Sequence, residues 1–249
     1  MNAFPLITAH TGCMGTRDNS EASVRTGLAL GADVVEDDIR TTRDGELVLG
    51  HDDRVPLADG AEGLISALSL HELNEASAAP PVRLEPMLHL VRSSGRRMNL
   101  DLKSDACLDP VARLIDRMDM ADYVFLSGCQ YDRARMAARL APRIRRLLNV
   151  DVRPFLSADD PSSLRLAVQA ACEQALSAGC FGLNLPHRLA GPELAAAAAE
   201  RGLDVYVWTV NDTEEMRRCA ELGVRSITTR NVEALARLKS DWTARGEQA

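Results

Sequence analysis

The amino-acid sequence predicts a (β/α)8 TIM barrel. Short apolar runs alternate with amphipathic stretches from one end of the chain to the other, the pattern of repeated strand–helix units. Several amphipathic stretches stop at a glycine just before the next apolar run, where a helix ends and a strand begins. The length of 249 residues also suits such a barrel, which commonly closes as one unit of about 250 residues. No linker-like segment interrupts the alternation, so residues 1–249 read as a single domain.

Strands are expected at residues 6–10, 33–39, 46–51, 98–103, 123–127, 146–150, 181–185, 205–210 and 226–229. They are short, rich in Val, Ile and Leu, and bounded by turn formers. These nine segments compete for eight barrel positions. Asp44-Gly45 is a tight-turn signal between the second and third, so one local segment is expected to be a hairpin extension. Helices are expected at residues 20–30, 110–118, 131–140, 162–178, 192–201, 213–222 and 231–242, four of them closed by Gly31, Gly179, Gly202 and Gly223. Residues 52–86 are the longest stretch without a clear strand. They follow a strand end, where barrel active sites are built, and read as a substrate-covering loop.

Composition narrows the function. With 46% hydrophobic and 26% charged residues, the chain has ample material for a core. A net charge of -7 argues against broad electrostatic attraction to nucleic acid or an anionic membrane. No run is long and apolar enough for stable membrane insertion, and residues 1–10 lack a secretion leader, so a cytoplasmic location is expected. The six cysteines show no CxxC spacing and read as reduced thiols, Cys13 included.

The chemistry gathers at predicted strand ends. Glu36 and Asp38 are two apart in a strand and project from one face, with Asp37 on the other. Two neighbouring buried carboxylates repel each other unless a cation or proton compensates them. In residues 99–103 the same alternation puts Asn99, Asp101 and Lys103 together, so Asp101 can complete a three-acid set for a divalent metal. A carboxylate-only set suits Mg2+ or Ca2+ rather than zinc. His10 and His51 each end an apolar run and can act as a proton acceptor and a proton donor, whereas His71, His89 and His187 read as ordinary histidines. Trp208 ends another strand and is a candidate for stacking on substrate; Asn19 is a candidate to orient loop or site groups, or for a helix N-cap.

His10-Thr11-Gly12, Asp18-Asn19-Ser20, Glu36-Asp37-Asp38, Thr42-Arg43-Asp44-Gly45, His51-Asp52 and Asp101-Leu102-Lys103 follow one another in the order of the glycerophosphodiester phosphodiesterases. Val207-Trp208-Thr209-Val210-Asn211 and Ile227-Thr228-Thr229 are similar to the family's C-terminal portion. The resemblance spans nearly the whole chain, strongest in its first quarter and last fifth. It implies the PLC-like phosphodiesterase type of barrel and, with a small-molecule phosphodiester as the expected partner, hydrolysis of glycerophosphodiesters to glycerol 3-phosphate and an alcohol. His10 and His51 would be the acid/base pair, with a divalent metal on Glu36, Asp38 and Asp101. Lys103, Trp208, Thr11 and Asn19 would contact substrate. In the family's usual mechanism the neighbouring glycerol hydroxyl attacks phosphorus and a cyclic phosphate is then opened by water.

Two departures stand out. Thr11 occupies the place of the family's usual arginine, a loss that Lys103, Arg17 or Arg40 could offset, and Asp101 stands where many members have glutamate. The departures also resemble the sphingomyelinase D-like phospholipases, the alternative enzymatic reading. A barrel that binds a phosphorylated metabolite without turning it over is the non-enzymatic one.

Overall fold

The structure is a computed structural model that describes residues 3–246. Its strands are β1 (Leu6–Ala9), β2 (Val34–Thr41), β3 (Leu47–Leu49), β4 (Arg54–Pro56), β5 (Glu62–Leu64), β6 (Arg97–Leu102), β7 (Val124–Ser127), β8 (Arg145–Asn149), β9 (Gly182–Pro186), β10 (Asp204–Trp208) and β11 (Ser226–Thr229). Eight of them, β1, β2 and β6 to β11, pair in parallel as a ring, which closes where β1 meets both β11 and β2. The ninth expected strand is therefore accounted for. It is β3, which lies antiparallel on the end of β2, with Arg40 opposite Val48, after the Asp44-Gly45 turn.

Helices α1 (Glu21–Ala29), α2 (Leu70–Ala76), α3 (Leu84–Ser94), α4 (Leu108–Met118), α5 (Tyr131–Leu140), α6 (Arg153–Leu156), α7 (Pro161–Ser177), α8 (Pro192–Glu200), α9 (Thr213–Leu222) and α10 (Val232–Gly246) lie between the strands. Period-two alternation divides each barrel strand between two environments. Val35 and Ile39 of β2, and Met98, Leu100 and Leu102 of β6, join the main core shared with the helices. The opposite face points inward and changes character along the barrel. Val34, Phe125, Leu147 and Tyr206 form an apolar plug. Further along the same strands, on the same faces, stand Glu36 and Asp38, Ser127, Asn149 and Trp208. The plug keeps one end dry, and the polar groups collect at the C-terminal mouth, where barrel enzymes place their chemistry.

The expectation for residues 52–86 is corrected. The segment carries the β4–β5 hairpin, α2 and the start of α3. Val55, Ile65 and Leu73 pack with Val48 of β3 into a small core of their own, and none of residues 52–86 lines the barrel-mouth cavity. Its strands are only three residues long, too short to show a period. Helix α3 did leave a signal, since Leu84, Met87, Leu88 and Val91 are its buried stripe, with Pro86 in the first turn where proline is tolerated.

Candidate active site

A cavity of about 380 Å³ opens at the C-terminal mouth, within the size range of small-molecule sites. It is lined by all of His10, Thr11, Asn19, Glu36, Asp38, His51, Asp101, Lys103 and Trp208, so folding brings every sequence-predicted site residue to one place.

The pairing of β2 with β6 sets the acids. Glu36 is opposite Asn99 and Asp38 opposite Asp101, so the three carboxylates occupy adjacent strands at neighbouring levels. Their ligating oxygens lie within 4.8 Å of one another. Lys103 bridges two of them, with Nζ 2.7 Å from Asp38 Oδ1 and 2.5 Å from Asp101 Oδ2. The remaining oxygens are also held: Ser127 Oγ donates to Asp101 Oδ1 at 2.6 Å, and Asn19 Nδ2 donates to Asp38 Oδ2 at 3.1 Å. Burial, and then the charges of Asp38 and Asp101, push the Glu36 carboxyl well above its usual range. Burial opposes the Lys103 charge, but Asp101 and Asp38 outweigh it and raise the lysine pKa. The cluster thus attracts positive charge. Beside it the buried Asn99 Oδ1 has no hydrogen-bond partner, a further oxygen available to a cation or to a group bound there. Three carboxylates with a nearby carbonyl oxygen fit a hard divalent ion, which Glu36, Asp38 and Asp101 could hold.

His10 follows β1. Its Nδ1 lies 2.8 Å from the Thr11 carbonyl, which can only accept, so this contact places the ring proton on Nδ1 and leaves Nε2 bare. Nε2 faces Glu36 Oε2 at 4.0 Å. Burial and the Arg230 guanidinium lower the His10 pKa, while the Thr11 carbonyl works in the opposite direction. His51 sits at the rim with a largely exposed side chain, its Nδ1 2.9 Å from Asp52 Oδ1. Arg40 donates to the His51 carbonyl through Nε at 3.0 Å and Nη2 at 2.8 Å, which fixes the backbone that presents the imidazole.

Thr11 does something other than expected, whereas Asn19 takes the first of its two expected roles and orients a site group. The Thr11 hydroxyl donates to Asp37 Oδ1 at 2.7 Å and accepts from the Asn19 amide at 2.6 Å, so it braces the loop after β1 and is not free for substrate. Asn19 clamps Asp38, accepting from its backbone amide at 3.1 Å while donating to its carboxylate, and the helix N-cap is Ser20. Asn19 holds this pose at φ 53, a left-handed conformation that asparagine tolerates. Burial pushes the Asp37 carboxyl, behind Thr11, up to about 8. Cys13 is buried with its thiol pKa raised by burial, and all six cysteines are free.

Sequence reasoning missed Asn149, Asn184 and Arg230, which also line the cavity. Asn149 Oδ1 accepts from the Gly128 amide at 2.9 Å and from Asn184 Nδ2 at 3.3 Å. Both asparagines stand at inward positions near the ends of expected strands, a signal present in the sequence but indistinguishable there from a turn residue.

A closed parallel barrel carrying a three-carboxylate cluster and two histidines at its C-terminal mouth defines a hydrolase-type site suited to an anionic phosphoester. The family model of the glycerophosphoryl diester phosphodiesterases matches residues 8–234, and the chain belongs to that family of phosphoric diester hydrolases. It is 25% identical to a glycerophosphodiester phosphodiesterase of Caldanaerobacter subterraneus subsp. tengcongensis, over 94% of this chain and 97% of that protein. A glycerophosphodiester phosphodiesterase of Arabidopsis thaliana is also 25% identical, over 95% of this chain and 74% of its own. Among solved structures, the fold is shared with an Oleispira antarctica phosphodiesterase in complex with the product sn-glycerol-3-phosphate. That match has a TM-score of 0.77 at 21% identity and covers 96% of this chain and 97% of the other. A Thermotoga maritima glycerophosphodiester phosphodiesterase superposes equally well, with a TM-score of 0.77 at 18% identity, covering 96% and 100%. No described helix is long and apolar enough to cross a membrane.

Proposed function

We propose that this chain hydrolyses glycerophosphodiesters to glycerol 3-phosphate and an alcohol, with a divalent metal on Glu36, Asp38 and Asp101 and with His10 and His51 moving the protons. The observation that carries the reading is the meeting of three clustered carboxylates and two histidines in one cavity of small-molecule size. Bound Mg2+ or Ca2+ would supply the charge neutralisation that the phosphoryl oxygens need.

The protein groups divide the remaining work. His10, neutral and with Nε2 bare toward the cavity, takes the proton of the neighbouring glycerol hydroxyl as it attacks phosphorus, and water then opens the resulting cyclic phosphate to glycerol 3-phosphate. His51, paired with Asp52 at the open rim, gives a proton to the departing alcohol, and the Asp52 carboxylate orients the ring through Nδ1. The acceptor thus lies in the interior and the donor beside solvent, an order that suits an alcohol leaving outward. Lys103 contributes positive charge between the acids and the phosphate, and Trp208, 37% exposed at the end of β10, offers an apolar wall to the organic part of the substrate.

The test is turnover of glycerophosphocholine, glycerophosphoethanolamine and glycerophosphoglycerol, with lysophosphatidylcholine as comparison, in Mg2+, Ca2+ or chelator. Metal-dependent release of glycerol 3-phosphate is expected. Preference for the lysolipid would favour the sphingomyelinase D-like alternative, and a chain silent on every substrate would count against the reading.

A further inference from the structure

We infer that Arg230 is the guanidinium that clamps the substrate phosphate, delivered from the end of the last barrel strand to a site whose loop after the first strand carries threonine at position 11. The inference rests on the phosphodiesterase reading above and names a binding residue that reading does not contain.

The cavity has a charge problem. Asp18, Glu36, Asp38 and Asp101 line it, while the incoming phosphodiester is itself an anion. Lys103 is already held between Asp38 and Asp101, so its ammonium serves the acids before it serves the substrate. The other cations raised by the sequence lie elsewhere. Arg40 is tied to the His51 carbonyl and lies 3.8 Å from Asp53, and neither it nor Arg17 lines the cavity. Arg230 does, and it brings the sole guanidinium among the lining residues.

Its backbone is fixed from two sides. The Arg230 amide donates to Asn211 Oδ1 at 2.8 Å, and its carbonyl accepts from the Met14 amide at 2.8 Å. This arrangement ties the residue after β11 both to the loop after β10 and to the loop after β1. The side chain extends over His10, with Nε 3.2 Å from Nδ1, and Nη2 meets Asp18 Oδ1 at 3.0 Å. Because the Thr11 carbonyl requires a proton on His10 Nδ1, that nitrogen has no lone pair for Arg230, and the imidazole does not hold the guanidinium. Nη1 has no protein partner among the described residues. Asp18 is therefore the one acid holding a planar donor fork that is otherwise free to face an oxyanion beside His10.

The test compares Arg230→Gln, Arg230→Lys and Asp18→Asn with the wild type. KM for glycerophosphocholine and, independently of turnover, the Kd for sn-glycerol 3-phosphate by calorimetry are measured in the presence of Mg2+. Arg230→Gln is expected to raise both at least tenfold, with a smaller change in kcat. Arg230→Lys is expected to recover only part of the loss, because an ammonium cannot reproduce the bidentate fork. Asp18→Asn keeps the guanidinium and is expected to bind sn-glycerol 3-phosphate at least as tightly as the wild type. Unchanged KM and Kd in Arg230→Gln would overturn the inference. So would an Asp18→Asn variant as impaired as Arg230→Gln, which would show that the ion pair merely holds the loop. Failure of the parent reading looks different: the wild type itself would lack turnover, while the product-binding comparison would still report on Arg230.

Discussion

Asp38 and Asp101 stand directly opposite each other in the parallel pairing of β2 and β6, and the Lys103 ammonium bridges them at 2.7 and 2.5 Å. Lys103 therefore balances one buried and one half-buried carboxylate as an intramolecular cation. Lys103→Met removes it without removing much apolar volume. In chelator the variant is expected to be less stable than the wild type by about 1–3 kcal/mol, the cost of leaving buried charged groups without a partner. Mg2+ or Ca2+ should restore more stability to the variant than to the wild type in thermal unfolding. Equal metal responses in the two proteins would show that ion and lysine do not share the same carboxylates.

Asp101→Asn takes one charge from the cluster but keeps the shape of the side chain. The metal concentration giving half-maximal turnover is expected to rise by about tenfold or more, with catalysis recovering at high metal. Titration of activity with Mg2+ and Ca2+ reads this directly. Curves that overlay the wild type would place the metal away from Asp101.

His10→Ala and His51→Ala are each expected to lower kcat by about 10²- to 10⁴-fold, the usual range for loss of a general acid or base. They should differ with substrate. An activated diester whose alcohol leaves without a proton is expected to recover much of the His51→Ala loss and little of the His10→Ala loss. The same recovery in both variants would reverse or erase the assignment of donor and acceptor.

Gly128 follows β7 with φ +69, and a Cβ there would sit 2.4 Å from the Leu102 carbonyl oxygen, just before Lys103. Backbone cannot yield as a side-chain tip can. Gly128→Ala is expected to destabilise the protein by roughly 2–4 kcal/mol, from left-handed strain and the clash together. Denaturant unfolding measures the loss, and activity should fall even where the variant is folded, because the displaced strand leads directly into Lys103.

The small core outside the barrel has its own pH signature. Glu72 closes a capping box with Ser69 and pairs with Arg43; hydrogen bonds from the Ser69 backbone and hydroxyl, then the arginine, hold its carboxyl down at about 2. A depressed pKa means that its stabilising contribution is complete above its ordinary value of 4.5 and is lost as pH falls toward about 2. Glu72→Gln is expected to flatten the acid-side stability curve in that window while changing the neutral-pH value far less. A curve parallel to the wild type would assign acid sensitivity elsewhere.

Much of this molecule was legible in neighbouring residues. Alternation alone put Glu36 and Asp38 on one face of a strand and Asp101 and Lys103 on one face of another, because successive side chains of a strand point to opposite sides. Residues 46–51 kept their strand but not a place in the ring, since a tight turn at Asp44-Gly45 folds them back on β2. The structure of residues 52–86 was hidden for another reason: its strands are too short for a period, and its apolar residues close on one another through contacts distant in sequence.

The sequence by itself determined which side chains face inward and that the polar ones lie at strand ends, because those properties follow from the residue and its immediate neighbours. Tertiary structure decided which inward groups meet. Pairing register set Asp38 against Asp101, and ring closure brought Arg230 of the last unit over His10 of the first, 220 residues away. It also turned Thr11 back toward Asp37 and Asn19 toward Asp38. Such meetings depend on where distant strands hydrogen-bond, a choice made by the packing of the whole barrel.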